Sequence, residues 1–256
     1  MAAGAVTYTA LPDFPLVGAG DDLAALIIDA IIRAGMTITD GDIVVVAQKI
    51  VSKAEDRYAD LRDVTPSARA VELAADVDKD PRLVELILGE STAVLRHKPG
   101  VLIVEHRLGF VAANAAIDHS NVGDGSNEDR VLLLPRDPDA SCRRLRAAFA
   151  DRFGVRLGVI MNDSVGRAWR LGTVGLAIGV AGPEPLVDLR GRHDLDGREL
   201  VVSETAFADE VAAAASLVMG QADEAAPVVI VGGLDWRESE AGAAALLRPH
   251  DADLFR

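Results

Sequence analysis

Two apolar runs in this chain end in hard oxygen donors. Residues 109–121, Gly-Phe-Val-Ala-Ala-Asn-Ala-Ala-Ile-Asp-His-Ser-Asn, bring Asp118 and Asn121 to the close of an almost wholly apolar stretch. Residues 156–170, Arg-Leu-Gly-Val-Ile-Met-Asn-Asp-Ser-Val-Gly-Arg-Ala-Trp-Arg, stop in the same way at Asp163, with Ser164 next and Arg167 and Arg170 close behind. Two acids ending apolar strands suit Mg2+ or Mn2+, which take a few hard ligands and leave the other positions to water and phosphate oxygens. Two such ions would clamp a transferring phosphoryl group, with the Ser164 hydroxyl as a further ligand and the Asn121 amide on a base or phosphate. From spacing alone, turn formation or helix capping accounts for both acids slightly better.

A second set of residues would meet the anion. Lys49 and Lys53 follow the apolar strand Val44–Val46, with Gln48 and Ser52 beside them, and two ammonium groups on one face suit a polyphosphate. The fork of Arg167 and Arg170 around Trp169 suits a phosphate or carboxylate, or closes a salt-bridged loop. Met219-Gly220-Gln221 ends an alanine-rich helix with a glycine that allows close approach to a phosphate. Asp209 and Glu210, on that helix, read as its solvated face more readily than as ligands.

The elements that must position these groups are read from periodicity and turn chemistry. Residues 21–35 have helical spacing of Leu23, Leu26, Ile27, Ala30, Ile31 and Ala34. Residues 41–53 open with a turn and run through a buried strand, so Gln48, Lys49 and Lys53 are expected at a strand end. Residues 66–98 read as surface helices, with Pro81 opening the second. Residues 101–117 form one bent strand or a hairpin. Residues 135–141 read as a turn followed by a helix to about Phe153, then a strand to Ile160 and a loop. Next come the apolar residues 174–180, a charged bend over 188–198, a strand at 201–203, a helix over 205–219 closed by Gly220, and a last buried strand over 227–231. Strands and helices do not alternate regularly, which favours an α+β fold of mixed sheets with surrounding helices over a doubly wound parallel sheet. Gly-x-x-x-x-Gly-Lys-Ser/Thr is absent, and Gly18-Ala-Gly20 lacks a third glycine and a preceding strand, so neither a P-loop nor a Rossmann fold is expected.

The bulk numbers fit a globular chain. Its 256 residues are 50% hydrophobic but only 4% aromatic, so alanine and valine fill the interior. A net charge of -14 repels nucleic acid and anionic membranes, so an anionic ligand needs a local positive site, for which Lys49, Lys53, Arg107, Arg167, Arg170, Arg190 and Arg192 are candidates. The lone Cys142 excludes an internal disulfide and a cysteine-rich zinc site, and reads as a passive helix residue suited to a reducing cytoplasm. The N-terminal residues lack the features of a signal peptide, and no apolar stretch is long enough to span a bilayer. No repeat or linker is visible, so residues 1–256 are expected to form a single unit, as one lobe or two intertwined lobes.

Taken together, six ordered blocks resemble the coenzyme F420-0 gamma-glutamyl ligases nearly end to end. They are residues 45–55, 105–121, 134–141, 162–170, 177–182 and 208–215. The resemblance implies a GTP-dependent ligase that adds L-glutamate through amide (gamma-glutamyl) bonds to the deazaflavin F420-0 by way of an acyl phosphate, releasing GDP and phosphate. It implies Asp118, Asp163, Ser164 and Gln221 as metal ligands for two ions of Mg2+ or Mn2+, with a monovalent cation as a further candidate. Contacts to GTP would come from Leu11, Pro12, Asp13, Phe14, Gln48, Lys53, Asn121 and the segment Met219, Gly220, Gln221; Lys53, Arg167 and Arg170 would offset charge during transfer. It further implies a homodimer; some bacterial relatives append a flavin-dependent reductase domain, which is not expected in residues 1–256, whether these are a stand-alone ligase or a truncated one. Gly232-Gly233 stands where relatives usually have Arg-Gly, and Ala113 replaces a frequent cysteine. A metal-dependent nucleotide phosphohydrolase and a non-enzymatic nucleotide-binding protein are the rival readings.

Overall fold

The structure is a computed structural model that describes residues 4–122 and 128–254. Along the chain run β1 (Thr7–Ala10), α1 (Leu23–Arg33), β2 (Ile43–Ala47), α2 (Gln48–Ala54), β3 (Tyr58–Asp60), α3 (Ala68–Val77), α4 (Pro81–Gly89), β4 (Ser91–Lys98), β5 (Val101–His106) and β6 (Val111–Ala113). After them come β7 (Arg130–Leu132), α5 (Pro138–Phe153), β8 (Gly158–Arg167), β9 (Arg170–Pro183), β10 (Val187–Asp188), β11 (Glu204–Thr205), α6 (Phe207–Met219), β12 (Val228–Gly232) and β13 (Glu238–Ser239). The main sheet has the order β1-β12-β2-β8-β9-β13, in which β2 and β8 pair in parallel and every other neighbouring pair is antiparallel. Helices and mixed sheets combine as expected for α+β, with no regular β-α-β winding.

The central strands are apolar throughout because both faces are covered. On one face Val44, Val46, Val159, Met161, Val228 and Ile230 meet α1, α2 and α5. On the other, Ile43, Val45, Ile160, Val229 and Val231 meet the small side chains Ala208, Val211, Ala212 and Ala215 of α6. Gly175 shows how close that helix lies: a Cβ there would overlap Ser216, Asn162 and the Ala212 carbonyl. A second sheet, β4-β5-β6, buries Leu102 and Val104 against Ala70, Ala74 and Val77 of α3 and Val84 and Ile87 of α4. A half-buried ion cluster sits beside it. Glu90 takes Arg57 at 3.1 Å and Arg107 at 2.9 Å, with His106 at 3.6 Å. Although burial opposes ionisation, these partners hold the Glu90 carboxyl down at about 2.

Several expectations are corrected. Gln48, Lys49 and Lys53 lie on helix α2, not at a strand end; a bond from Ser52 Oγ to Gln48 Oε1 at 2.9 Å spans one helical turn. Lys49 and Lys53 still share a face, now through i,i+4 spacing. Residues 91–98, read as helix, form β4 because their pairing with β5 decides the matter. Residues 101–113 are a hairpin. The strand ending at Ile160 instead continues to Arg167 and turns directly into β9. The strand expected at 201–203 is displaced to Glu204–Thr205. Gly232 lies at the far end of β12 from Val228, opposite Thr7, so the residue there stands away from the edge where the functional groups gather. Cys142 is buried in α5, which raises its thiol and keeps it inert.

Candidate active site

The carboxyl ends of the parallel pair β2 and β8 face the same way, and open sheets place ligands at that edge. β2 passes straight into α2, so Gln48 and Lys49 emerge there; Leu11 sits alongside, its N–H donated to the Val228 carbonyl at 2.9 Å. Leu11 is buried and Phe14 packs on the core, whereas Pro12 and Asp13 are exposed. Asp118 reaches this edge from the neighbouring sheet. It does not end a strand. It follows three consecutive residues of left-handed backbone, Asn114, Ala115 and Ala116, and forms an isolated bridge to Leu132 through two 2.9 Å backbone bonds.

The Asp118 carboxylate is held from two sides. Gln48 Nε2 donates to Oδ2 at 2.6 Å, and Lys49 Nζ lies 3.3 Å from Oδ1 while also donating to the Ser120 carbonyl at 3.0 Å. Asp163 stands in the interior of β8, not at its end. Its predecessor Asn162 points to α6, donating to Ser216 Oγ at 3.0 Å, so strand alternation turns Asp163 to the opposite face. Burial first, and the negative charge of Asp118 second, push the Asp163 carboxyl up to about 7. Two acids that resist joint ionisation make a place where a cation would relieve both desolvation and repulsion.

Other expected groups meet at the segment that follows α6. Ser164 Oγ donates to Gln221 Oε1 at 2.8 Å, tying β8 to the segment after α6. Asn121, itself in left-handed backbone, reaches the Ala222 carbonyl at 3.5 Å. Gly220 has positive φ, which any other residue would adopt only under strain, so glycine is favoured between α6 and Gln221. Met219 is buried, with Asn162 Nδ2 at 3.5 Å from its sulfur. Lys53 has no hydrogen bond or ion pair among the described residues. Burial and then the charge of Lys49 lower its pKa, with Arg130 adding to the effect.

Arg130 was not anticipated. Its guanidinium lies 3.6 Å over the ring of Tyr58, which fixes it beside Lys53 as a third positive group. The local signal was an arginine at the head of a short apolar run; its aromatic partner lies on β3, far away in sequence. Arg107 and Arg190 are committed to Glu90 and to Asp188 and Glu204, respectively. Arg167 and Arg170 flank the distal turn of the β8–β9 hairpin and are not gathered with the acid pair. Arg167 stands four residue steps along the strand from Asp163, roughly 13 Å at the usual rise. Asp209, expected on a solvated face, instead accepts the Ala177 N–H at 2.9 Å and is half-buried.

Among the described residues no three His, Cys, Asp or Glu side chains form a metal-binding group. The donors available are therefore two carboxylates plus the neutral oxygens of Ser164 and Gln221. That set fits a hard divalent ion that keeps water and phosphate in its shell, and it does not fit zinc.

The F420-0:gamma-glutamyl ligase family model matches residues 13–233. The chain belongs to that family. The family's span takes in α2, Asp118, Asp163 and the Gln221 segment, so every group at this edge except Leu11 and Pro12 falls within it. The chain is also similar to curated proteins named coenzyme F420:L-glutamate ligase. That of Methanothermobacter thermautotrophicus is 47% identical over 253 residues, covering 98% of this chain and 99% of the relative. Those of Methanocaldococcus jannaschii and Halobacterium salinarum are each 42% identical, over 219 and 253 residues, covering 86% and 96% of this chain and 86% and 94% of the relatives. As a member of the family the chain is an enzyme, and none of its described helices is long and apolar enough to cross a membrane.

At this candidate site, Gln48 orients Asp118 without itself being an acid. Gln48→Leu keeps the volume and removes the donor. It is expected to weaken Mg2+ or Mn2+ binding by about 10- to 100-fold, measured by calorimetric titration of the metal. Unchanged affinity would mean that Lys49 and the Leu132 bridge alone fix the carboxylate.

Proposed function

We propose that this chain joins L-glutamate to coenzyme F420-0 through a gamma-glutamyl-type amide, using GTP and releasing GDP and phosphate. The observation that carries the reading is the opposed pair Asp118 and Asp163 beside Lys49, Lys53 and Arg130, a negative notch next to a positive patch on a chain of net charge -14. The choice of GTP follows the resemblance, and the amide product follows the relatives' shared name. Two divalent ions, Mg2+ or Mn2+, would be held by Asp118, Asp163, Ser164 and Gln221; when bound they would neutralise the acids and polarise the γ-phosphate.

The chain's own residues do the rest. Lys53, without a partner of its own among the described residues, meets the phosphate chain, and Arg130 adds charge that its stacking on Tyr58 keeps in place. Asn121, with its amide near the chain that follows Gln221, faces the nucleotide together with Leu11, Pro12, Asp13 and Phe14. The acceptor's carboxylate attacks the γ-phosphate, GDP leaves, and an acyl phosphate forms. The amine of glutamate then displaces phosphate. An amide formed from a free carboxylate is uphill in water, and phosphoanhydride cleavage supplies the driving force. A homodimer in the cytoplasm completes the proposal. The dimer and the compartment follow the resemblance, and Trp169, Leu171, Leu195, Val201 and Val202 are individually exposed apolar side chains that a second copy would cover.

The test is incubation with GTP, Mg2+ or Mn2+, L-glutamate and F420-0, followed by mass measurement. A product heavier by one glutamyl unit, formed only with all four present, is expected. Phosphate release indifferent to glutamate and F420-0 would replace this reading with a phosphohydrolase, and GTP binding without turnover would replace it with a nucleotide-binding protein.

A further inference from the structure

A cavity of about 430 Å3 opens between the β5–β6 turn, the start of α5, the outer edge of β9 and residues 243–253. Its volume falls in the range of about 300–1,000 Å3 usual for small-molecule sites. Phe110, Val165, Leu176 and Leu247 give it apolar walls. Two charged groups on its lining have capacity to spare. Nη1 of Arg167 is buried with no hydrogen-bond partner among the described residues, and its Nη2 makes only a long 3.5 Å contact with the Leu171 carbonyl. Asp209 spends Oδ1 on the Ala177 N–H and has no other partner among the described residues.

The remaining charges on the lining are committed. Asp139 accepts the N–H groups of Val180 and Ala243, Asp137 caps α5, and Arg248 and Asp253 have partners. A buried guanidinium donor left unpaired is costly, and a ligand carboxylate would satisfy it. Burial raises the Asp209 carboxyl, so a cation beside it would be favourable in the same way.

The cavity wraps the open edge of β9: Val165 and Leu176 line it from the face that carries Asp163, and Asp209 reaches it from α6 on the other face. Leu176 lies directly across the ladder from Asp163, and Val165 stands two residues further along the strand. Resting on the function proposed above, we propose that this cavity is the amino-acid subsite. In it Arg167 holds a carboxylate of L-glutamate, Asp209 holds its α-ammonium, and the apolar wall packs on the methylenes between. Once the ammonium has passed a proton to the Asp209 carboxylate, the freed amine can displace phosphate from the acyl phosphate, and Arg167 acts as a binding residue for the amino acid, at a distance from the phosphoryl group.

The experiment compares Arg167→Gln and Asp209→Asn with the wild type in the ligation assay. Asparagine keeps an oxygen for the Ala177 N–H, so the fold is preserved, and thermal melting confirms it. Each variant is expected to raise the KM for glutamate by roughly tenfold or more while leaving that for GTP within about twofold. Glutarate, which lacks the amine, should compete much more weakly than glutamate against the wild type and comparably with it against Asp209→Asn. An unchanged glutamate KM, or a rise confined to F420-0, would overturn the assignment. If the wild type makes no product at all, the ligase reading fails separately. Calorimetric titration of L-glutamate into each protein then decides the cavity: binding lost in both variants supports it, and no binding to the wild type refutes it.

Discussion

Replacing Asp163 by asparagine is expected to abolish ligation, by roughly a thousandfold or more, and yet to make the metal-free protein more stable at alkaline pH. The two effects have one origin. In the fold the Asp163 carboxyl sits at about 7, against an ordinary value of 3.8, because burial and Asp118 both oppose its charge. A folded value above the unfolded one means that the group contributes stability below 3.8 and loses it as pH climbs through about 7. In a chelator, therefore, the wild type should melt at progressively lower temperature from about pH 4 to pH 7, with a cost on the order of a few kcal/mol. Asparagine cannot ionise, so its melting curve should be flatter across that window. Mg2+ or Mn2+ should restore the wild type at pH 8 and leave the variant unmoved. Identical pH profiles for the two proteins would show that Asp163 ionises freely and that the acid pair stores no repulsion.

Asp118→Asn should be as damaging to ligation, and it adds a test of coupling. Asparagine can still accept from Gln48 Nε2, but Lys49 loses its counter-charge and Asp163 loses one of the two causes that raise it. The Asp163 carboxyl should then titrate lower, which narrows the window of pH-dependent melting. The double variant should ligate no worse than either single one, because groups that bind one ion jointly are not additive. Multiplying losses in the double variant, measured as kcat/KM, would mean that the two carboxylates act independently and would overturn a shared metal site.

How much of this could be read from residues alone differed between elements for physical reasons. α1, α5, α6 and β12 carry their own signals: a long apolar period, a proline or aspartate at the start, a glycine at the end. α2 does not. At seven residues, with Ile50 and Val51 at its centre, it extends an apolar strand as far as local propensity is concerned, and only burial of those side chains against the core settles it. β4 is opaque for the opposite reason, since Ser-Thr-Ala-Val-Leu-Arg-His-Lys has no strict alternation and gains its state from β5. At Asn162-Asp163-Ser164 the turn chemistry is plain but outvoted by the ladder with β9.

The site followed the same division. Asp118 and Asp163 were visible as acids closing apolar runs, and the shared face of Lys49 and Lys53 survived the change from strand to helix. What remained hidden was anything set by distance across the fold. Arg130 depends on Tyr58, the Gln48 bond on a residue in another sheet, and the separation of Arg167 from Asp163 on a strand that does not stop where it was expected to. Asp209 was misread because its partner is the backbone edge of β9, which has no sequence signature.

The parallel pairing of β2 with β8 also has a temporal meaning. Val44 lies against Val159, so this contact closes a very long loop, and such pairings form late compared with hairpins such as β8–β9. The acid pair exists only once that closure is made, because Gln48 and Asp163 leave from its two strands. Recovery of divalent-ion binding should accordingly lag behind the return of helical signal during refolding, making the metal a clock for the last step of assembly.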